Sequence, residues 1–160
     1  STFLCMICFC MGAQMINSLW ITLLELLLYP LGKSVMPILE NVAGSSDTFS
    51  MFLYACVAAP LWEELLFRGF VLDSLRPYGK RFAIFGSAVL FGLFHGNLNQ
   101  FAYAFTLGIF LAYLYVKTGN IKITIALHMM INFVGGFIST ILLRVLDLEE
   151  MNAALSSTDT

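Results

Sequence analysis

Apolar runs of membrane-crossing length, divided by short polar turns, fill most of this chain. Residues 2–29 form the first run, interrupted only by Gln14, Asn17, Ser18 and Glu25, and it closes at Tyr29-Pro30-Leu31-Gly32. This run is too long for a signal-peptide core and lacks the basic segment that precedes one. It predicts a transmembrane helix. Because the chain opens at Ser1 already inside apolar sequence, we expect a piece of a longer membrane protein. Residues 33–47 are a connection, in which Pro37 breaks the pattern and Gly44-Ser45-Ser46-Asp47 supplies a helix N-cap.

Four further helices follow, over about 48–75, 82–95, 101–116 and 123–145. Between them lie a basic turn at 76–81, a polar connection at 96–100 and a second basic turn at 117–122. Ala88, Gly92 and Gly96 recur every fourth residue, as do Ala104, Gly108 and Ala112. Such spacing lets two membrane helices approach closely. Residues 147–160 read as a polar, acidic, frayed tail. The predicted fold is all-α: one membrane domain over 1–160, a polytopic bundle of about five helices with a core at 48–145.

Composition strengthens this picture. Charged residues make up 11% of the chain, against about 25% in soluble domains, so the expectation is an integral membrane protein in contact with a lipid bilayer. A net charge of -2, with no basic run able to track phosphates, argues against nucleic acid. The two basic turns hold five of the eight Lys and Arg residues, which puts that side in the cytoplasm. Cys5, Cys8 and Cys10 cluster near the start, but no His or second Cys pair stands beside them to complete a metal site. With Cys56 they read as small apolar residues of membrane helices.

Candidate chemistry begins in the second helix. Its segment Pro60-Leu61-Trp62-Glu63-Glu64-Leu65-Leu66-Phe67-Arg68-Gly69 carries two carboxylates and a guanidinium. Each costs roughly 2.5–3.5 kcal/mol at the centre of a membrane helix. Glu64 and Arg68 are four apart and can pair on one face. Glu63 lies about 100° round the helix and is less well placed for Arg68, leaving it open to chemistry. Pro60 removes the hydrogen bond to the carbonyl of Cys56 and predicts a kink beside the charges. The bland alternative is a closed ion network that holds helices together.

His95 ends the third helix, and His128 and Asn132 share one face of the fifth. Polar groups inside a membrane turn towards the bundle interior, so these six residues should converge. Their depths disagree: at about 1.5 Å per residue, Glu63 and His95 lie about 20 Å from the basic side, and His128 only about 9 Å. Tilt, the Pro60 kink or a deeper start to the fifth helix would reconcile them. A buried carboxylate can activate water, and His and Asn donors can hold an oxyanion. These parts fit amide hydrolysis. Neither histidine has an obvious aspartate partner for a serine triad, and no His-Glu-x-x-His motif is present. Two His and one Glu could still take a divalent metal.

Glu-Glu-x-x-x-Arg at 63–68, Phe-x-x-x-His at 91–95 and His-x-x-x-Asn at 128–132 together resemble the three motifs of the CAAX prenyl endopeptidase and bacteriocin-processing family, also called CPBP or Abi. The resemblance spans about 48–145, and no motif position departs from the pattern. It implies a glutamate-dependent intramembrane endopeptidase with no cofactor and no catalytic metal. Glu63 would be the general base, aided by His95; His128 and Asn132 would stabilise the oxyanion; Glu64 and Arg68 would be the structural, orienting pair. The substrate would be a membrane-associated protein or peptide, with or without a prenyl group. The location expected is a bacterial plasma membrane. The main alternative is a non-catalytic immunity or scaffold protein of the same fold. A proton-coupled carrier is a third class, disfavoured by the lack of an inverted repeat. Substrate identity and oligomeric state stay open.

Overall fold

A computed structural model describes residues 2–33 and 48–138. Most of the expected connection at 33–47, the final turns of the fifth helix and the polar tail at 147–160 lie outside the described residues. Those described are helical throughout apart from short turns, with no strand among them.

Helix α1 spans Thr2–Leu28 and ends in a 3-10 turn, Tyr29–Leu31, closed by Gly32 at φ 65°. The following residues build α2, a run of consecutive helical segments: Thr48–Phe52, Leu53–Ala58, Ala59–Glu64, Leu65–Leu72, Asp73–Leu75 and Arg76–Tyr78. After Gly79 come α3 (Lys80–Phe94), α4 (Leu98–Thr118) and α5 (Ile121–Ile131), the last continuing as a π-helical stretch, Asn132–Ile138. Helix α4 starts three residues before the expected 101 because the Asn97 side chain caps it, accepting from the Gln100 amide at 2.8 Å. Asn120 does the same for α5 through the Lys122 amide at 3.0 Å.

Among the described residues, three stretches are long and apolar enough to cross a membrane: Gly12–Leu31, Leu98–Thr118 and Ile121–Ile138. Helix α2 carries the charges, and α3, with 15 residues, is about 22 Å long, short of the roughly 30 Å hydrocarbon layer. Large apolar side chains such as Met15, Leu19, Leu26, Phe70 and Phe85 stand exposed on the outer surface. That pattern suits lipid and not water. The chain is an integral membrane helical bundle. Its two basic turns lie at one end, since the Arg76 guanidinium sits 5.4 Å from the Tyr115 ring, two residues before Lys117.

The closest seam joins α3 and α4. A Cβ added to Gly108 would sit 3.0 Å from the Ala88 Cα, and one on Gly92 would sit 3.0 Å from the Phe101 ring. Ala88, Ala104 and Ala112 are buried along it. Gly96 is the exception to the small-residue expectation. It has φ 68° and open space around it, so it serves the left-handed turn that ends α3 and not the seam. Helix α1 lies across α4 in the opposite sense, with Phe9 stacked on Phe110 and the Trp20 indole N–H donating to the Leu98 carbonyl.

Helix α2 departs from regular geometry where its sequence demands it. Pro60 has no N–H, so one upstream carbonyl must go without its helical partner. The distortion takes the form of the π-helical stretch Leu53–Ala58, in which the Ala59 N–H reaches back to the Tyr54 carbonyl. In that five-residue register the carbonyl opposite Pro60 is that of Ala55. Counting in α-helical steps places Cys56 at that point. A second π-helical stretch, Leu65–Leu72, carries Arg68.

Candidate active site

The local geometry of α2 settles the first pairing. Glu64 and Arg68 are both fully buried, with Arg68 Nη1 3.1 Å from Glu64 Oε1. That contact is ionic and lacks hydrogen-bond alignment. Arg68 Nη2 donates to the Gly108 carbonyl at 3.2 Å, and the guanidinium carbon lies 4.7 Å from the Phe91 ring centre. The guanidinium is thus held by a carboxylate, a backbone carbonyl and an aromatic face, each from a different helix. A buried charge needs such compensation.

Helix α5 brings the histidine. Ile121, its first residue, lies level with Gly69, whose added Cβ would sit 3.6 Å from the Ile121 side chain. Gly69 is seven residues before Arg76, or about 10 Å deeper. The fifth helix therefore starts deep, which removes the depth mismatch. Seven residues on, His128 reaches Glu64 Oε1 with Nδ1 at 3.0 Å. The two atoms stand at hydrogen-bonding distance, where an ionised Glu64 would accept from an Nδ1–H. The other ring nitrogen, Nε2, faces Glu63 Oε2 at 3.6 Å. His128 therefore bridges the two neighbouring carboxylates. The sequence offered no aspartate partner for it; the partner is a glutamate.

Asn132 sits one turn further along α5. Its side-chain N–H donates to the Ala55 carbonyl at 2.8 Å, the acceptor that Pro60 leaves free. This bond joins the π-helical stretch of α2 to the start of that in α5. His95 is placed differently. Its Nδ1 is hydrogen-bonded to the Phe91 carbonyl at 2.9 Å, and its ring meets the Phe91 ring edge-on at 5.1 Å. Phe91 also packs edge-on against His128 at 5.7 Å. The structure brings Glu63, Glu64, Arg68 and His128 into direct contact, and links His95 to them through Phe91.

The two carboxylates have opposite surroundings. Glu64 is enclosed, whereas the Glu63 side chain is 16% exposed and forms part of the wall of a half-open cavity of about 200 Å³ beside Trp62, Leu66 and Phe94. Among the described residues no three His, Cys, Asp or Glu side chains are arranged to hold a metal ion. Sequence reasoning missed Phe91 as a shared platform, although it stands in the Phe-x-x-x-His motif. It also missed the Gly108 carbonyl, because a backbone acceptor leaves no mark on residue identity.

Comparison with known proteins places the chain in a family. The profile described as Type II CAAX prenyl endopeptidase Rce1-like matches residues 45–134, a stretch that contains all six candidate residues. A Bacillus subtilis (strain 168) protein named "Putative membrane peptidase YdiL" is 32% identical over 85 residues, covering 51% of this chain and 34% of that protein. Human CAAX prenyl protease 2 is 31% identical over 100 residues, covering 49% of this chain and 30% of the relative. The Lactococcus lactis UPF0177 protein YxdF is 29% identical over 100 residues, covering 58% and 55%. The chain thus spans about a third of the first two relatives and about half of the third. No solved structure gives a significant match. With more than half its length matched, this chain belongs to the Type II CAAX prenyl endopeptidase Rce1-like family.

Proposed function

We propose that the chain carries the hydrolytic centre of an intramembrane endopeptidase in which Glu63 is the general base. The observation that carries this reading is the contrast between adjacent carboxylates. Glu64 is enclosed and tied to Arg68 and His128, while Glu63 opens onto a cavity. Within the bundle, Arg68 balances Glu64, and His128 holds the pair in register with Glu63. Glu63 takes a proton from water as the water oxygen attacks the scissile carbonyl carbon. The carbonyl electron pair moves onto oxygen. Asn132 has a second amide hydrogen beyond the one given to Ala55, and His128 in its doubly protonated form offers Nε2–H beside Glu63. Both suit the developing oxyanion. Collapse breaks the C–N bond, and the proton on Glu63 passes to the leaving amine. His95 supports this indirectly, by packing the Phe91 ring that His128 rests on.

The reading extends to a metal-independent reaction on a membrane-associated protein or peptide. The name of the human relative makes prenylated C-terminal segments one substrate class to try, and the bacterial relatives make a bacterial plasma membrane the setting to try first. The test compares membranes holding wild-type and Glu63→Gln protein by mass spectrometry of released peptides. Loss of general-base catalysis predicts a fall of about 10²–10⁴-fold at unchanged protein level, with wild-type cleavage surviving chelators. Full cleavage by Glu63→Gln would remove Glu63 from its role. A protective phenotype that persists without Glu63 would mark a non-catalytic immunity function instead.

A further inference from the structure

The cavity beside Glu63 has a specific origin in α2. Tyr54, Ala58, Trp62 and Leu66 recur every fourth residue and form one stripe; Ala59 and Glu63 form the next. Two alanines thus lie between a tyrosine and a tryptophan, one turn away on either side. Both aromatic rings are about 70% exposed, so they project and leave a notch over the alanines. Phe94 of α3 closes the far side. Among the described residues of the lining, Glu63 is the one charged group.

Size decides what fits. An apolar cavity of about 150 Å³ takes up a benzene ring. At about 200 Å³ this notch holds one leucine, methionine or phenylalanine side chain.

We infer that the notch over Ala58 and Ala59 is the substrate side-chain pocket, which takes one aliphatic or aromatic residue flanking the scissile bond and sets specificity there. The inference rests on the reading of Glu63 as the base, and it adds a site with its own determinants. A side chain seated between Tyr54 and Trp62 brings its backbone carbonyl alongside the Glu63 carboxylate. Ala58 and Ala59 limit the depth of the pocket, and Trp62 limits its length.

The test uses synthetic peptides that differ only in Gly, Ala, Leu or Phe next to the cleavage point, with the full chain in lipid vesicles. Wild-type protein is expected to favour Leu and Phe. Ala59→Leu fills the floor and should shift the kcat/KM ratio at least about 10-fold towards Gly and Ala, the discrimination a methylene or more commands in an apolar pocket. Trp62→Ala should shift it towards Phe. Unchanged preference in both variants overturns the inference while leaving Glu63 as the base. A turnover-free arm separates the two claims: in Glu63→Gln protein, an Ala58→Cys thiol should be shielded from a maleimide by the Leu peptide and not by the Gly peptide, read by site-resolved mass spectrometry. Equal labelling with both peptides overturns the pocket whether or not cleavage occurs.

Discussion

The α3–α4 seam and the α2–α5 contact are built on opposite principles. The seam is made of small residues in regular helix, with Gly108 against Ala88 and Gly92 against Phe101. Its tightness comes from dispersion between close backbones. The α2–α5 contact is polar and irregular. It consists of Glu64 and Glu63 on His128, Asn132 on Ala55, and π-helical stretches in both helices. Arg68 ties the two regions together by pairing with Glu64 and donating to the Gly108 carbonyl. A stiff seam thus fixes one end of an ionic chain whose other end is the exposed carboxylate. Irregular backbone inside a membrane persists where neighbouring groups satisfy it. Here the groups that satisfy it also line the candidate site.

Removing the tie should have the largest effect. Arg68→Ala leaves Glu64 buried with its main counter-charge gone, and breaking a buried pair in this way costs about 3–5 kcal/mol. We expect poor accumulation in membranes and a strongly lowered unfolding temperature in detergent, with activity lost for that reason. Glu63→Gln should accumulate normally and lose activity alone. Equal accumulation of the two variants would erase the distinction between a structural and a reactive carboxylate.

A smaller effect should follow from Asn132→Ala. It strips the Ala55 carbonyl of its donor, and an unsatisfied buried acceptor costs about 1–3 kcal/mol. Denaturation in detergent should show that loss together with reduced cleavage, since Asn132 bonds at the bend by Pro60 and, in the proposed mechanism, also faces the oxyanion. An unaltered stability with reduced cleavage would assign Asn132 to chemistry only.

The mildest change is at the seam. Gly108→Ala places a methyl 3.0–3.2 Å from Ala88, and crowding of this kind costs about 1–3 kcal/mol. The gain in helix propensity returns about 0.5–1 kcal/mol. The net loss should be about 1 kcal/mol, with cleavage reduced only modestly through the displaced Gly108 carbonyl. A gain in stability would show that the seam has slack.

Much of this was legible locally. The spacing of Glu64 and Arg68 predicts their pairing because four residues bring two side chains onto one face of an α-helix, and the pair survives in the π-helical stretch that carries Arg68. Polar groups that a membrane rejects must turn inward, which named Glu63, Glu64, Arg68, His95, His128 and Asn132 as an expected set; Glu63, Glu64, Arg68 and His128 meet directly, whereas His95 bonds to Phe91 and Asn132 to Ala55. The π-helical register was not legible, and it set the Ala55 carbonyl opposite Pro60. The role of Gly96 was also misjudged, because four-residue spacing does not reveal where a helix stops.

By itself, the sequence determined the membrane helices, their order and the residues too polar to face lipid, since periodicity and transfer cost act within one helix. Only the tertiary structure decided that α5 begins beside Gly69, that His128 spans both glutamates, and that Phe91 and the Gly108 carbonyl complete the surroundings of Arg68. Register between helices depends on how caps and side-chain ridges meet across a contact, and no single helix contains that information.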